Sequence, residues 1–312
     1  MDDANIPVVD FSCCRLGTPP LNSDGEVLDV VKQIKKAFND SGFVYLKNHG
    51  IDQSLVDAAR SVSLDFFMLP NERKQRYRRP GDKAGTDGWK PMPGEKGTDI
   101  KENYNYTQYS KATWPEDGGA DVPTFCATNA KFFEACSGLS LKVLQVLGKA
   151  FILPPSDEEF FAKSHQNMGH YDKNRTRLKS IYYPPLLEAP QPGKVRLAEH
   201  KDFGTITLLF QDNIGGLEIE LKSGEYKAVV PEPCTILVMA GQLMERWTAD
   251  KIRAPRHQVL IPMKEYQLKN GRQSLAFFAH PDNDVTISCL DGSNKYEPIN
   301  ALDWKESAGK AH

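Results

Sequence analysis

The sequence contains the pattern His-x-Asp three times, and each copy supplies two groups that bind metal ions. The copies are His170 with Asp172, His200 with Asp202, and His280 with Asp282. In an extended chain, residues i and i+2 point to the same side, so both side chains of one copy reach one ion. Two histidines and a carboxylate on one face of Fe(II) leave the other positions open for reactants. The position of a third ligand therefore indicates which of the three copies binds the metal.

The third ligand favours the middle copy. Only the pair His200 and Asp202 is followed by a histidine at the start of a β-type run, namely His257 before residues 258–262. Arg272 and Ser274 come next, at the start of another run, where a guanidinium and a hydroxyl suit a carboxylate. The other two copies have no comparable third ligand, so we expect structural roles for them.

Short β-type runs must position these residues. They occupy residues 180–183, 196–198, 205–210, 217–221, 228–230, 235–239, 259–261, 274–278 and 285–289. Turns rich in Gly, Pro or Asn separate most of them, which is typical of a sandwich or barrel. His200 lies at the end of one run, and Asp202 lies in the turn before the next.

The N-terminal half has a different pattern. Apolar spacing predicts helices over residues 27–39, 53–67 and 125–147, and a buried strand over 42–46. Residues 78–119 are polar and rich in Gly and Pro, which predicts long loops near a functional surface, or a mobile segment. We predict a single domain: a mixed region over 1–175 wrapped on a β core over 176–290, with a tail over 291–312.

The composition excludes several classes of protein. The 312 residues include 39 Lys and Arg against 41 Asp and Glu, so a formal charge of -2 gives no reason to expect nucleic acid or an anionic membrane as a partner. A disordered chain would be less apolar than this one, which is 40% hydrophobic. The six cysteines lack a C-x-x-C pair, and the N-terminus lacks a secretory signal. We expect a reduced, cytoplasmic protein.

Several segments together resemble the Fe(II)- and 2-oxoglutarate-dependent dioxygenases, and most closely the branch that includes isopenicillin N synthase. The segments are 6–10, 42–50, 200–211, 215–218, 241–248, 257–259 and 272–274. The similarity runs from about residue 6 to residue 280, with the motifs in the family's order. It implies a mainly β fold with helices, whose core is a distorted double-stranded β-helix, or jelly roll.

The resemblance also implies the chemistry. His200, Asp202 and His257 would bind Fe(II), 2-oxoglutarate would chelate the metal, and O₂ would take the remaining position. Decarboxylation of 2-oxoglutarate to succinate and CO₂ would drive oxidation, most often hydroxylation, of a small-molecule substrate. Arg272 would bind the distal carboxylate of 2-oxoglutarate, and Ser274 and Tyr183 would add hydrogen bonds.

The sequence departs from the family at two positions. Ile181 stands where many relatives carry Asn, which removes one polar group near the cosubstrate. Gln242 stands where Asp is common after Gly. Neither position is a metal ligand.

Residues near Tyr183 suggest where the substrate binds. If residues 180–183 form a strand, alternation puts Arg177, Lys179, Ile181 and Tyr183 on one face. Their cations would then favour an anionic substrate, unless both face solvent. Tyr104 could also line a substrate pocket, although aromatic residues in loops often serve only as packing anchors.

Two further hypotheses compete with a 2-oxoglutarate-dependent oxygenase. One is an oxidase like isopenicillin N synthase, which uses Fe(II) and O₂ without 2-oxoglutarate. The other is a catalytically silent jelly-roll binding protein. The intact set of His200, Asp202, His257, Arg272 and Ser274 speaks against a silent protein, because a binding module has no need of that set.

Overall fold

The computed structural model describes residues 6–21, 24–80, 87–93, 97–108, 114–115, 121–151, 158–188, 193–262 and 264–308. Its α-helices are α1 (Gly25–Asp40), α2 (Gln53–Phe67), α3 (Asn71–Lys74), α4 (Phe125–Phe151), α5 (Phe160–Lys163), α6 (Gln242–Trp247), α7 (Glu265–Lys269) and α8 (Ala301–Ala308). Its strands are β1 (Val8–Asp10), β2 (Phe43–Lys47), β3 (Gly88–Lys90), β4 (Glu102–Tyr106), β5 (Arg177–Tyr183), β6 (Leu197–His200), β7 (Ile206–Gln211), β8 (Leu217–Glu220), β9 (Tyr226–Ala228), β10 (Thr235–Ala240), β11 (His257–Val259), β12 (Arg272–Ala279), β13 (Thr286–Ile287) and β14 (Ile299–Asn300). The predicted core strands are present, with bounds moved by a few residues.

Two sheets form the β core. The larger has eight strands in the order β1-β2-β10-β7-β12-β5-β4-β3, and the smaller has four in the order β6-β11-β8-β9. Apolar side chains from both sheets meet in one buried cluster, which includes Ile181, Leu209, Leu217, Ile219 and Val259. Alternation along each strand produces this shared inner face. The arrangement confirms the predicted jelly-roll core.

The outer face of the eight-stranded sheet packs against helices. Helix α2 begins after Asp52, whose side chain accepts a hydrogen bond from the backbone N–H of Ser54 at 3.1 Å. Its buried residues recur at helical spacing, from Val56 to Phe67. Helix α4 packs against α1 and α2 and contacts the sheet. The helices therefore cover one side of the sheet and leave the other side to form the site.

The prediction of long loops over 78–119 is wrong for residues 88–90 and 102–106, which form strands β3 and β4. Strand β4 lies inside it, pairs with β5, and is buried along its whole length. The polar residue Glu102 is accommodated because Lys74 Nζ lies 2.9 Å from its Oε2 and Trp89 donates to it at 2.6 Å. Residues 81–86, 94–96, 109–113 and 116–119 lie outside the described residues.

The predicted C-terminal tail also contains secondary structure. Strand β14 pairs with β13, and α8 follows it directly. The indole N–H of Trp304 donates to the carbonyl of Phe203 at 3.1 Å, which fixes α8 beside the loop that follows β6. Strands β1 to β4 join the same sheet as β5, β7, β10 and β12. One sheet thus contains strands from both predicted regions, while residues 309–312 lie outside the described residues.

Candidate metal and cosubstrate site

The three predicted metal ligands converge at one end of the small sheet. His200 ends β6, His257 begins β11, and the two are paired across the antiparallel strands. The Nε2 atoms of His200 and His257 lie 3.8 Å and 3.7 Å from Asp202 Oδ1. In the described part of the chain, this is the one group of three or more His, Cys, Asp or Glu residues whose ligand atoms all lie within 4.8 Å of one another.

Backbone carbonyls orient both imidazoles. His200 Nδ1 lies 2.9 Å from the carbonyl of Ala198, and His257 Nδ1 lies 3.3 Å from the carbonyl of Pro255. A carbonyl only accepts, so Nδ1 carries the proton and the lone pair of Nε2 faces the centre. Burial, with the neighbouring His257, lowers the pKa of His200 to about 4. Both features favour the neutral imidazole that a metal requires.

Asp202 is held in its charged form. Burial alone would raise its pKa, but the charge of His257 or His200 when protonated, a hydrogen bond from Thr207 and the nearby Lys179 ammonium outweigh burial and lower it. The Thr207 hydroxyl donates to Oδ2 at 2.6 Å, which leaves Oδ1 turned toward the two histidines. The carboxylate is 5% exposed, so water competes little for it. Two imidazoles and one carboxylate fit Fe(II) with open positions.

Backbone hydrogen bonds from the junction of β10 and α6 stabilise the loop that carries Asp202. The backbone N–H of Gln242 donates to the carbonyl of Asp202 at 2.8 Å, and that of Gly241 donates to the carbonyl of Thr205 at 2.9 Å. A Cβ at Gly241 would lie 2.1 Å from the carbonyl oxygen of Gly204, so only glycine fits there. Gln242 therefore stabilises the loop that carries Asp202 through its backbone N–H, and this contact does not depend on the side chain at position 242.

A cavity of about 40 Å³ lies between the two sheets and includes the three predicted ligands in its lining. Tyr183, Arg272 and Ser274 also line it. Arg272 and Tyr183 are cross-strand partners, and the guanidinium lies 5.0 Å from the centre of the tyrosine ring. Arg272 is 1% exposed, and its Nε atom has no hydrogen-bond partner among the described residues. This buried, unsatisfied donor fits the distal carboxylate of 2-oxoglutarate.

Tyr183 is suited to donate a hydrogen bond. Burial raises its pKa, and the nearby Arg272 and Ser274 only lessen the rise. Its phenol therefore keeps its proton at neutral pH. Ser274 lies on the same side of β12 as Arg272, with its Oγ atom 3.5 Å from a guanidinium nitrogen. The three predicted cosubstrate residues are thus brought together.

A second cavity, of about 120 Å³, also lies against the metal ligands; we call it the substrate cavity. Its lining comprises Arg177, Lys179, His200, Lys201, Asp202, Phe203, Phe278, His280 and Lys305. Arg177 and Lys179 face it as predicted, and alternation along β5 explains why. Ile181 also lies on that face of the strand but lines the first cavity. The alternative in which both cations face solvent is wrong, because Arg177 is 6% exposed and Lys179 is partly buried.

Tyr104 is not part of either cavity lining. Its cross-strand partner is Ser180, whose hydroxyl lies 2.8 Å from that of Ser63 on α2, on the helical side of the sheet. The tyrosine ring lies 4.7 Å from that of Phe66 and 5.0 Å from that of Phe125, and it is 1% exposed. Tyr104 is a packing anchor, which was the alternative for aromatic residues in loops, and its assignment to the substrate pocket is wrong.

The other His-x-Asp copies have different surroundings. Asp282 accepts hydrogen bonds from the side-chain amides of Asn167 and Asn174, each at 2.8 Å, which ties two loops together. His280 is buried and lines the substrate cavity, and it belongs to no group of three possible metal ligands among the described residues. His170 is exposed at a turn. None of these copies joins a metal-binding group in the described part of the chain.

Some residues of the site were missed from sequence alone. Phe203 and Phe278 could have been found, since one follows Asp202 directly and the other shares the strand face of Ser274. Thr207 has no recognisable sequence signal, and neither has Lys305, which reaches the cavity from the other end of the chain.

Comparison with known proteins agrees with this geometry. Residues 6–126 match the family model described as the N-terminal region of a non-haem dioxygenase in morphine synthesis, and residues 174–281 match the 2OG-Fe(II) oxygenase superfamily. The chain is 31% identical to proline hydroxylase buaE of Petromyces alliaceus, over 83% of this chain and 84% of that protein. It is 26% identical to the 2-oxoglutarate-dependent dioxygenase htyE of Aspergillus rugulosus, over 80% of each.

Solved structures of similar proteins have the same fold. A full-length Neurospora crassa protein, crystallised in complex with alpha-KG, superimposes with a TM-score of 0.85 at 28% identity, over 99% of this chain and 98% of that one. A 2OG-Fe(II) oxygenase family protein of Caulobacter crescentus shares the fold, with a TM-score of 0.81 at 24% identity over 98% of each chain.

The chain belongs to the 2-oxoglutarate- and Fe(II)-dependent oxygenase superfamily. It is an oxidoreductase that uses Fe(II), 2-oxoglutarate and O₂, and it couples oxidation of a substrate to the conversion of 2-oxoglutarate into succinate and CO₂. The hypothesis of a 2-oxoglutarate-dependent oxygenase is therefore confirmed. Among the described residues, no helix has both the length and the apolar character that a bilayer span requires.

Proposed function

We propose that this protein hydroxylates a small anionic molecule, with Fe(II) bound by His200, Asp202 and His257. One observation carries the proposal: the two cavities meet at the metal ligands, because His200 and Asp202 line both. One cavity contains the unsatisfied guanidinium suited to 2-oxoglutarate, and the other contains the cations suited to a substrate. A metal between them serves both reactants.

In this proposal the cosubstrate residues bind and orient 2-oxoglutarate. Arg272 neutralises its distal carboxylate, and Tyr183 and Ser274 donate hydrogen bonds to it. When bound, the iron and 2-oxoglutarate activate O₂, and the products are succinate, CO₂ and a substrate with one new hydroxyl group. The buried lining keeps water away from the reacting atoms.

The preference for an anion rests on the charges of the substrate cavity. Arg177, Lys179, Lys201 and Lys305 line it, against one carboxylate, Asp202, which the metal would use. Other structures of the Neurospora crassa protein are complexes with thymine and with 5-formyluracil, which supports a small molecule as the substrate. All six cysteines are free thiols, which supports the expected reduced cytoplasmic compartment.

A substitution of Arg272 tests the cosubstrate assignment. Arg272→Gln should weaken 2-oxoglutarate binding about 10- to 100-fold, because a buried charge-assisted hydrogen bond is worth roughly 1.5–3 kcal/mol. The same variant should bind 2-oxopentanoate, which has a methyl group in place of the distal carboxylate, as the wild type does. The exposed Arg256→Gln serves as control. Equal losses for both oxo acids would refute the assignment.

The anionic substrate is tested separately at Lys179. Lys179→Met keeps most of the length of the side chain and removes its charge. It should weaken the tightest-binding anionic substrate found by screening about ten-fold or more, while 2-oxoglutarate binds unchanged. Unchanged binding of every accepted substrate would contradict the proposal.

A further inference from the structure

Four cations line the substrate cavity, and protein carboxylates neutralise only two of them. The four are Arg177, Lys179, Lys201 and Lys305. Arg177 Nε lies 3.5 Å from Asp87 Oδ1, and Lys201 Nζ lies 3.0 Å from Glu245 Oε2. These two pairs are structural, since the partner carboxylates lie outside the cavity lining. They leave two lysines of the cavity without a carboxylate partner in the described part of the chain.

Neither remaining lysine has an acidic partner. Within the described ranges, no carboxylate oxygen lies within 4.0 Å of the Nζ atom of Lys179 or of Lys305. Lys305 Nζ lies 3.4 Å from Nε2 of His280, whose pKa burial holds well below its ordinary value, so this histidine is neutral. Each ammonium lies over an aromatic ring, at 4.9 Å from the centre of Phe278 and 5.7 Å from that of Phe203. The rings compensate only part of a buried charge.

The reactants of the proposed function do not supply the missing negative charge. The two charges of Fe(II) are balanced by Asp202 and the near carboxylate of 2-oxoglutarate. The distal carboxylate is balanced by Arg272. Among the described residues, the two lysines therefore share only Asp202 as a nearby negative charge, and an ammonium in a partly buried cavity is unfavourable without a partner of its own. Burial and nearby positive charges, only partly offset by Asp202, lower the pKa of both Lys179 and Lys305 to about 7, and a bound anion would favour the charged form of each.

We infer that the substrate is a small dicarboxylate, with one carboxylate bound by Lys179 and the other by Lys305, and its apolar part against Phe203 and Phe278. This inference rests on the proposed function and names its substrate class. It makes the C-terminal helix α8 a part of the substrate site. Trp304, which donates to the Phe203 carbonyl at 3.1 Å, positions α8 so that Lys305 faces the cavity.

Binding to the anaerobic complex of the full chain with Fe(II) and saturating 2-oxoglutarate tests the inference. The probes are adipate, pimelate and phthalate, each matched with the monoanion of similar size: hexanoate, heptanoate and benzoate. The readouts are thermal stabilisation and the visible charge-transfer band, which shows that 2-oxoglutarate stays bound. We expect at least one dianion to bind about ten-fold or more tightly than its monoanion, as an added charge-assisted contact predicts.

Variants then assign the two contacts. Lys305→Gln and Lys179→Gln should each weaken that dianion about ten-fold or more and leave its monoanion within about two- to three-fold, whereas Lys305→Arg should retain binding. The exposed Lys269→Gln should match the wild type. The inference is overturned if no dianion binds, if the monoanions bind equally well, or if Lys305→Gln has no effect. A wild type that fails to give the band contradicts the proposed function instead.

Discussion

Thr207 provides a sharp test of how the carboxylate ligand is oriented. Its hydroxyl donates to Asp202 Oδ2 at 2.6 Å, and both side chains are almost fully buried, at 1% and 5% exposure. Thr207→Val keeps the shape of the side chain and removes the donor. The carboxylate then loses the contact that turns Oδ1 toward the histidines.

The expected loss of Fe(II) affinity follows from this geometry. A short hydrogen bond to a buried charged group contributes about 1.5–3 kcal/mol. Partners of metal ligands typically change metal affinity by about 10- to 100-fold when removed. We therefore expect Thr207→Val to weaken Fe(II) binding by about 10- to 100-fold in anaerobic calorimetric titration, with helix and strand content unchanged.

Thr205→Val is the matched control. Thr205 is equally buried, but its hydroxyl lies 2.8 Å from His165 Nε2 rather than at a ligand. It should lower the free energy of unfolding by about 1 kcal/mol and leave Fe(II) affinity within about two-fold. The reasoning is refuted if Thr207→Val binds Fe(II) like the wild type, or if the two variants lose affinity equally.

Three further outcomes are expected. Gly241→Ala should lower the free energy of unfolding by about 1–3 kcal/mol in urea and weaken Fe(II) binding, since the new Cβ would lie 2.1 Å from the Gly204 carbonyl oxygen. Gly25→Ala is the control and should change neither quantity, because a Cβ at Gly25 would meet nothing within 4 Å. Tyr183→Phe should weaken 2-oxoglutarate binding by about 10-fold or more, the loss of one hydrogen bond to a charged carboxylate, and unchanged binding would remove Tyr183 from the site. Burial lowers the pKa of His165 to about 4 in the folded chain. In the unfolded chain His165 is protonated below about pH 6.5, whereas in the folded chain it is protonated only below about pH 4. Stability should therefore fall as the pH drops from 7 to 5, by about 2 kcal/mol from His165, and His165→Gln should show a shallower slope in urea unfolding.

Two of the three proposed metal ligands have a local signal in the sequence. His200 and Asp202 are two residues apart at a strand end, and alternation alone puts them on one side. Arg272 and Ser274 follow the same rule on β12. The jelly-roll core was also predictable, since one buried face per strand leaves a repeated pattern of short apolar runs.

Other parts depend on contacts between distant segments. Strand β4 escaped prediction because its buried Glu102 is satisfied by Lys74, far away in sequence. Tyr104 was assigned to a pocket because no sequence rule says which face of an unrecognised strand packs on helices. Lys305 lies beyond the segments that resemble the family, and only the packing of α8 brings it to the cavity.

The most direct test of the central claim is anaerobic titration of the wild-type protein with Fe(II) and 2-oxoglutarate. We predict the weak visible charge-transfer band of the bidentate chelate at one equivalent of iron, and no band for His200→Ala. Stoichiometric iron binding without the band would instead indicate an oxidase that does not use 2-oxoglutarate. Wild-type iron affinity in His200→Ala would contradict the assignment of His200, Asp202 and His257 as the ligands.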